Sequence, residues 1–317
     1  MKKILYIVVP CYNEEEVLKE TAKRLTKKLN ELIKLNVITK SSRILFVNDG
    51  SKDKTWEIIK DLDYKEELCT GISLSRNRGH QNALLAGLLH AKEKADIIIS
   101  MDADLQDDVD AIDEMLKKYS EGSEIVYGVR KSRKKDSFFK RITAQGFYKF
   151  MKRMGVDIVY NHADYRLTSK RVLNHFADYK EVNLFLRGMF PLLGFKTDIV
   201  YYERSERFAG KSKYSFKKML DFAWEGITSF STRPLRFILN FGVFITMLSI
   251  IGLIALLVLY LVNVVYPTWL IIIGFIALFA GIEITFMGII GEYIGKIYSE
   301  TKARPRYIIS EDLEEQK

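Results

Sequence analysis

The chain has 317 residues, a formal net charge of +9, two cysteines and four histidines. That length allows one large domain with an appendage, and the basic residues come without a nucleic-acid-binding motif, so we expect a membrane or phosphate-binding surface and no nucleic acid partner. With only two cysteines, Cys11 and Cys69, and no metal-ligand spacing between them, we expect neither a disulfide framework nor a cysteine metal site, and a reducing compartment is favoured.

Strand and helix signals alternate along the amino-terminal part of the chain. This alternation predicts an α/β fold, with a mostly parallel sheet covered by helices. In chain order we predict a strand Ile4 to Val9 ended by Pro10, a helix Glu14 to Leu35, strands Arg43 to Val47 and Thr70 to Leu74, a helix Gln81 to Ala91, a strand Ile97 to Met101, a helix Val109 to Tyr119, and a strand Glu124 to Val129.

Polar residues follow three of these strands at their carboxyl ends. They are Pro10 to Glu14, Asn48 to Ser51, and Asp102 to Asp104. Ligands of open α/β sheets bind at this edge, so Tyr12 could pack near a base and Asp49 could accept hydrogen bonds from a base or ribose. The chain has neither a glycine-rich dinucleotide fingerprint nor a P-loop, which disfavours those two kinds of nucleotide site.

The sequence Asp102-Ala103-Asp104 is the most informative of the three. Two carboxylates at i and i+2 are expected to point to the same side, with the small Ala103 leaving room for a ligand. Hard oxygen ligands of this kind suit Mg²⁺ or Mn²⁺, which can bridge to nucleotide phosphates. A solvated acidic turn is the alternative for an isolated pair, and the neighbouring motifs favour the metal site.

The carboxy-terminal part is apolar. No charged residue occurs from Phe237 to Ile282, which predicts two membrane-spanning helices at roughly Phe237 to Val262 and Trp269 to Ile290. Lys and Arg lie outside both spans and not in the loop, so the positive-inside rule places both termini in the cytoplasm. A buried hairpin of a soluble protein is the alternative. Glu283, inside the second span, could be a functional carboxylate or a packing residue.

The segment before the first span mixes aromatic residues with lysines and arginines. It predicts a helix in the membrane interface, with an ordinary amphipathic helix packed on the globular core as the alternative. We therefore divide the chain into a catalytic domain at 1–210, an interfacial segment at 211–236, a transmembrane hairpin at 237–290, and a cytoplasmic carboxy-terminal tail at 291–317.

Several motifs in fixed order resemble those of a known family. The segments Val9 to Glu14, Val47 to Asp53 and Met101 to Asp107 resemble the family 2 glycosyltransferases of GT-A fold. Later segments, Asp164 to Leu167 and Arg204 to Tyr214, resemble the polyprenyl-phosphate glycosyltransferases, a group that includes dolichyl-phosphate mannose synthase-like enzymes. The two spans that close on Gly291 to Tyr298 are similar to those of the bactoprenol glucosyltransferase branch.

This resemblance implies inverting transfer of one hexose from a nucleotide-sugar to undecaprenyl or another polyprenyl phosphate on the cytoplasmic membrane face. The expected donor is UDP-glucose or UDP-N-acetylglucosamine, with GDP-mannose as the alternative. The resemblance also implies roles for single residues. Asp102 and Asp104 would bind Mg²⁺ or Mn²⁺, Asp104 and Asp164 would be catalytic, and the nucleotide-sugar would contact Pro10, Tyr12, Asn13, Glu14, Asp49, Asp102, Ala103 and Gln106.

The role of Asp164 stays open between a general base and an orienter of sugar hydroxyls. A phosphate monoester has a second pKa of about 6, so the acceptor is largely ionised already, and a base helps most when the nucleophile must lose a proton. Bringing one anion to another calls for fixed cations instead. Our candidates for holding the acceptor phosphate, unless they form a solvated basic face, are Arg130, Arg141, Arg207 and Lys213.

Two other functions compete with this one. A processive polysaccharide synthase is disfavoured because the chain has no Arg-Trp pair and only two predicted spans. A catalytically inactive scaffold or flippase partner is disfavoured because Asp102, Asp104 and Asp164 are all present. Besides the nucleotide-sugar donor, the lipid acceptor and the bilayer, we keep open a homo-oligomer, a downstream flippase and a transferase that uses the lipid-linked sugar.

Overall fold

The structure is a computed structural model that describes residues 2–131, 162–182, 185–203, 261 and 268–315. Its strands form one sheet with the spatial order β7-β5-β6-β4-β1-β2-β3-β8. The strands are β1 Leu5–Cys11, β2 Arg43–Asn48, β3 Cys69–Leu74, β4 Ile97–Ser100, β5 Ile125–Arg130, β6 His162–Ser169, β7 Thr197–Tyr202 and β8 Ile309–Asp312.

The sheet is mixed and mostly parallel. Strands β4, β1, β2 and β3 pair in parallel, as do β5 and β7. Strand β6 runs antiparallel between β4 and β5, and β8 is an antiparallel edge strand on β3. The carboxyl ends of the parallel strands therefore meet the amino end of β6 at one edge of the sheet.

Helices cover both faces of the sheet. They are α1 Leu18–Lys34, α2 Thr55–Lys65, α3 His80–Lys94, α4 Ala111–Ser120, α5 Lys170–Ala177, α6 Leu186–Leu192 and α7 Thr268–Lys302. Strand β1 is buried along its whole length. Its residues alternate between two hydrophobic layers, with Ile7 packed in the layer of α1 and α4, and Val8 in that of α3, α5 and α6. This two-layer burial explains why the strand is continuously apolar.

The predicted α/β fold is confirmed, and the predicted elements up to β5 are present with shifted ends. Helix α1 begins at Leu18, four residues later than predicted. Strand β1 continues through Pro10, which we expected to end it. The carbonyl of Val8 accepts from the amide of Met101 on the β4 side, and the carbonyl of Cys11 accepts from the amide of Asp49 on the β2 side. Because alternate residues of a strand face the same neighbour, the nitrogen of Pro10 faces the β4 side, where β4 has already ended. A missing N–H costs no ladder hydrogen bond there.

Three strands were not predicted. Strand β6 reads His-Ala-Asp-Tyr-Arg-Leu-Thr-Ser, which is too polar to signal a buried strand, yet it lies between β4 and β5. Strand β7 is the edge strand beside β5, and β8 is only four residues long. We predicted a tail at 291–317, but these residues continue α7 to Lys302 and then join the sheet through β8.

The second predicted span lies within α7, and the first, together with the interfacial segment, falls outside the described residues apart from Leu261. In the described part of the chain, no helix combines the length and the apolar character that a bilayer crossing demands. The end of α7 contacts the α/β domain directly. Both carboxylate oxygens of Glu300 accept from the amide of Val182, at 2.9 and 2.8 Å, and Arg306 donates to the carbonyl of Tyr179 at 3.1 Å.

Candidate active site

The candidate site lies at the sheet edge where the carboxyl ends of the parallel strands meet. Asp102 to Asp104 follow β4, Asp49 follows β2, and residues 12–14 follow β1. Arg130 ends β5, and Asp164 lies near the amino end of the antiparallel strand β6. The structure thus brings most of the predicted site residues to one edge. Arg141, Arg207 and Lys213 lie outside the described residues.

Asp164 is bound by two cationic side chains. Arg187, on α6, donates to both of its carboxylate oxygens, from Nε at 3.1 Å and from Nη2 at 2.9 Å. The imidazole Nε2 of His80, the first residue of α3, lies 3.4 Å from Asp164 Oδ2. The side chain of Asp164 is only 10% exposed. A buried carboxylate is thereby paired and hydrogen-bonded, which is how such a charge is tolerated in a protein interior.

These contacts favour the ionised form of Asp164. Burial raises its pKa, but the charge of Arg187 and the hydrogen bonds from His80 and Arg187 outweigh burial and hold the pKa well below its usual range. A carboxylate that resists protonation is a poor proton acceptor at neutral pH, because a general base works best with a pKa near the operating pH. The surroundings of Asp164 therefore favour orientation over proton transfer.

His80 joins the Asp164 pair to the metal-binding motif. Its Nε2 lies 3.7 Å from Asp102 Oδ1, so one ring faces two carboxylates. Burial opposes its charge, but the bond to Asp164 and the charges of Asp102 and Asp164 raise the pKa of His80 to about 9. Burial also raises the pKa of Asp102, with Asp164 and Asp104 adding to the effect. The ring of His80 therefore carries its positive charge between the two carboxylates near neutral pH.

Asp49 organises the loop between β3 and α3. Its carboxylate accepts hydrogen bonds from the amides of Arg78 at 2.7 Å and Gly79 at 3.0 Å. Burial raises the pKa of Asp49, and these two amide bonds work against that rise. The next residue, Gly50, has φ +61°, and a Cβ there would lie 2.5 Å from the amide nitrogen of Asn77. Asp49 thus positions the turn that leads into His80, while its predicted contact with the nucleotide stays a prediction.

The loop after β1 is held by the loop after β2. The amide of Asn13 donates to Ser51 at 3.0 Å, and that of Glu14 donates to Thr55 at 2.9 Å. In return, the side chain of Asn13 accepts from the amide of Lys52 at 2.9 Å. Asn13 takes φ +53°, a left-handed conformation that asparagine tolerates better than most residues. The predicted nucleotide-binding segment Pro10 to Glu14 is therefore part of a fixed double loop.

The backbone of the Asp102 to Gln106 segment is fixed by hydrogen bonds from α1 and within the segment itself. The hydroxyl of Thr21 on α1 donates to the carbonyl of Ala103 at 2.8 Å. The amide of Gln106 donates to Asp104 Oδ1 at 3.2 Å, which fixes the turn after the motif. Ala103 and Gln106 are buried, whereas the side chain of Asp102 is 35% exposed. The aspartates thus stand at the surface of a segment whose backbone is fixed.

Arg130 is tied to the same segment through Tyr202 and Asp107. Its Nε donates to the hydroxyl of Tyr202 at 3.4 Å, and that hydroxyl donates to the buried carboxylate of Asp107. Arg130 Nη2 is 3.9 Å from the same carboxylate oxygen. Burial, with the charge of Asp102 adding to it, raises the pKa of Asp107 to about 7. Arg130 is therefore the described member of the predicted cation set that stands beside the acidic motif.

Known proteins match the chain over most of its length. The profile of Glycosyl transferase family 2 matches residues 6–176. YkoT of Bacillus subtilis (strain 168), described as an uncharacterized glycosyltransferase, is 51% identical over 98% of this chain and 92% of its own. The bactoprenol glucosyl transferase of Shigella phage SfX is 39% identical over 96% of this chain and 97% of its own.

The chain belongs to glycosyl transferase family 2. It is thus a glycosyltransferase, and its α/β domain is of the GT-A type that the motifs resembled. Among solved structures, mannosyl-3-phosphoglycerate synthase from Rubrobacter xylanophilus matches 74% of this chain and 74% of its own at a TM-score of 0.49, with 14% sequence identity.

Family 2 membership raises the question of whether these residues fit a divalent cation. In the described ranges, no group of three or more His, Cys, Asp or Glu side chains is arranged to enclose a metal ion. Mg²⁺ needs no such cage, since it binds through one or two carboxylates together with substrate phosphates and water. The oxygen donors of Asp102 and Asp104 fit that pattern. Asp107 Oδ2 is buried without a hydrogen-bond partner among the described atoms. Its carboxyl group adds to the negative charge that a bound cation would offset.

The sequence did not identify four side chains of this glycosyltransferase site: His80, Arg187, Asp107 and Tyr202. His80 could have been found, because it follows the carboxyl end of a predicted strand just as Asp49 and Asp102 do. Asp107 stood in a recognised motif, but only the structure shows it buried against Tyr202. Nothing in the sequence pointed to Arg187, which reaches the site from a separate short helix.

Proposed function

We propose that this protein transfers one hexose, from UDP-glucose or UDP-N-acetylglucosamine, to a polyprenyl phosphate with inversion at the anomeric carbon. The observation that carries the proposal is the 39% identity to bactoprenol glucosyl transferase, which extends over 96% of this chain and so includes its apolar carboxy-terminal part. A likeness confined to the α/β domain would support glycosyl transfer without favouring a lipid acceptor.

The donor half of the site supports this assignment. Asp102 and Asp104 stand at the end of β4, beside the double loop that carries Tyr12 and Asn13. When bound, Mg²⁺ or Mn²⁺ supplies the charge that stabilises the departing nucleoside diphosphate. Asp102 and Asp104 would hold that ion, the double loop is the predicted contact for the nucleotide, and Gln106 is the predicted contact for the donor.

The acceptor half needs positive charge more than it needs a base. The lipid phosphate is already anionic near neutral pH, so its approach to a diphosphate must be offset by fixed cations. Arg130 is held beside the acidic motif through Tyr202 and Asp107. Arg141, Arg207 and Lys213 are the further cations that we assign to the acceptor phosphate from the sequence. Asp164, ionised and paired, then orients groups in the site and does not remove a proton.

We further propose that the enzyme works at the cytoplasmic face of the cell membrane, held there by two spans and the interfacial segment 211–236. The uncharged sequence from Phe237 to Ile282, with Lys and Arg only on its outer flanks, supports this arrangement. The product would be a lipid-linked sugar for modification of cell-envelope glycans, passed to a flippase and then to a transferase that uses it.

The decisive experiment is direct. Purified protein in detergent is mixed with polyprenyl phosphate, Mg²⁺ or Mn²⁺, and labelled UDP-glucose, UDP-N-acetylglucosamine or GDP-mannose in parallel. We expect label in the organic phase with a UDP-sugar, loss of that label in Asp104→Ala, and full label in the matched surface variant Asp61→Ala. Label from GDP-mannose alone would replace the donor assignment, and equal label from wild type and Asp104→Ala would overturn the proposed chemistry.

The acceptor assignment has its own test. Arg207→Ala and Lys213→Ala should raise the apparent KM for polyprenyl phosphate at least about tenfold, as expected when a charge-assisted phosphate contact is lost. The KM for the nucleotide-sugar should change much less. Unchanged acceptor KM in both variants would refute the assignment, and the anomeric configuration of the product, read by NMR, tests inversion.

A further inference from the structure

Arg187 holds Asp164 through a two-point contact between its guanidinium and the carboxylate. Two parallel hydrogen bonds, of 3.1 and 2.9 Å, join its guanidinium to both carboxylate oxygens. Such a two-point contact fixes the orientation of a carboxylate as well as its distance. The pair is largely buried, with the side chain of Asp164 only 10% exposed. Asp164 is therefore held in a single orientation at the site.

The contacts continue from Asp164 to the metal-binding motif. His80 Nε2 lies 3.4 Å from Asp164 Oδ2 and 3.7 Å from Asp102 Oδ1. Arg187, Asp164, His80 and Asp102 thus form a row in which each side chain contacts the next. We call this row the Arg187–Asp102 row.

The two helices that supply the row are themselves joined. The amide of Leu186, at the start of α6, donates to Gln81 Oε1 at the start of α3, with a length of 2.8 Å. Arg187 and His80 are the neighbours of these two residues in the chain. Phe190, also on α6, lies under the guanidinium of the buried Arg166, 3.7 Å from ring centroid to Cζ. The start of α6 is therefore joined to the start of α3 by one hydrogen bond and to β6 by this ring contact.

We propose that Arg187 is a positioning residue for sugar transfer: by fixing Asp164 it sets the place of His80, and through His80 that of Asp102. This inference rests on the proposed function. The role proposed for Arg187 is to hold Asp164, which makes it a positioning residue and not a catalytic one. Misplacement of reacting groups by about 1 Å can cost a factor of about 10² in rate, so loss of the row should appear mainly in kcat.

The experiment is a double-mutant cycle on Arg187 and Asp164, measured by the transfer assay with saturating lipid phosphate. We expect Arg187→Gln to lower kcat by at least about 30-fold while the KM for the nucleotide-sugar changes by less than about threefold. In the Asp164→Asn background, Arg187→Gln should lower kcat by less than about threefold, because the group through which it acts is already altered.

Folding is controlled separately. Arg187→Gln leaves a buried carboxylate with one partner fewer and could unfold the protein. The comparison of Asp164→Asn with the Asp164→Asn/Arg187→Gln double variant avoids that unpaired charge and decides the question by itself. Arg171→Gln is the matched control: Arg171 lies on α5 with its side chain 69% exposed and pairs with Glu124. It should leave kcat unchanged, and the melting temperature of every variant is recorded.

The outcomes separate the two proposals. If the wild type transfers no sugar to lipid phosphate, the proposed function fails and this inference falls with it. A different result overturns only the inference: the wild type is active, but Arg187→Gln lowers kcat by the same factor in both backgrounds. A kcat of the double variant about tenfold below that of Asp164→Asn has the same meaning, because Arg187 then does not act through Asp164. A much reduced effect in the Asp164→Asn background supports it.

Discussion

The carboxylate of Glu314 accepts a 2.9 Å hydrogen bond from the hydroxyl of Tyr6, although 308 positions separate the two residues in the chain. Lys94 and His90, both on α3, contact the other oxygen of Glu314. Together with β8, which pairs with β3, this carboxylate joins the end of the chain to the first strand of the sheet. The residues after α7 are therefore packed and hydrogen-bonded as part of the α/β domain.

Replacing Glu314 by Gln should destabilise the protein, because it weakens the attachment of the residues after α7 to the α/β domain. Glutamine keeps an acceptor for Tyr6 but loses the charge that Lys94 contacts, so we expect the free energy of unfolding to fall by about 1–3 kcal/mol. Urea denaturation in detergent measures the change. Glu315→Gln, at the exposed neighbouring position, should be nearly neutral. Equal stability of the two variants would contradict the role of Glu314.

The same carboxylate predicts a pH dependence. Burial raises the pKa of Glu314, but hydrogen bonds from His90, Lys94 and Tyr6 outweigh it and lower the pKa to about 2. An unfolded glutamate has a pKa of about 4.3, so the folded state favours the ionised form, by up to about 3 kcal/mol. That stabilisation is complete above about pH 5 and is lost as the pH falls through about 4 towards 2.

The measurement is the stability difference between wild type and Glu314→Gln, by urea denaturation at several pH values from 7 down to 3. Other groups titrate in both proteins, so the difference isolates Glu314. A gap that stays the same at pH 7 and pH 3 would show that ionisation of Glu314 does not contribute.

Gly87→Ala should destabilise the protein although it lies within a helix. Alanine at a helical glycine normally stabilises by about 0.5–1 kcal/mol, but a Cβ at position 87 would lie 2.4 Å from Val8 Cγ1 and 2.7 Å from Val47 Cγ2. Overpacking of this kind costs about 1–3 kcal/mol, so the sign should reverse. Gly295→Ala in α7 is the control, since no described atom outside its own turns lies within 4 Å of that Cβ. A more stable Gly87→Ala variant would disprove the close contact between α3 and the sheet.

Removing divalent cations should abolish sugar transfer. Treatment with EDTA is expected to lower activity at least about 100-fold, because the departing diphosphate would lose its counter-charge, and added Mg²⁺ or Mn²⁺ should restore it. Asp104→Asn should need a higher metal concentration for half-maximal rate. Full activity after exhaustive chelation would exclude the metal role assigned to Asp102 and Asp104.

The sequence determined the features that depend on local pattern. Short segments rich in apolar residues predicted the buried strands β1 to β5, and polar residues directly after β1, β2 and β4 predicted a site at their common edge. The strands are confirmed, and the polar residues meet at one edge because the carboxyl ends of parallel strands come together whatever the loop lengths between them. Their role as an active site stays a prediction. The order of the motifs along the chain also indicates the family by itself.

Only the tertiary structure decided which side chains contact one another at the site. Strand β6 is polar and enters the sheet between two strands that precede it in the chain, so no local periodicity marks it. Arg187 meets Asp164 across 23 positions because α6 packs against β6, where Phe190 lies on the guanidinium of Arg166, and Glu314 meets Tyr6 because β8 completes the edge of the sheet. Ion pairs and strand insertions of this kind depend on packing between distant segments. The spacing of apolar residues and the residues of turns predict local structure only, and so they do not predict these contacts.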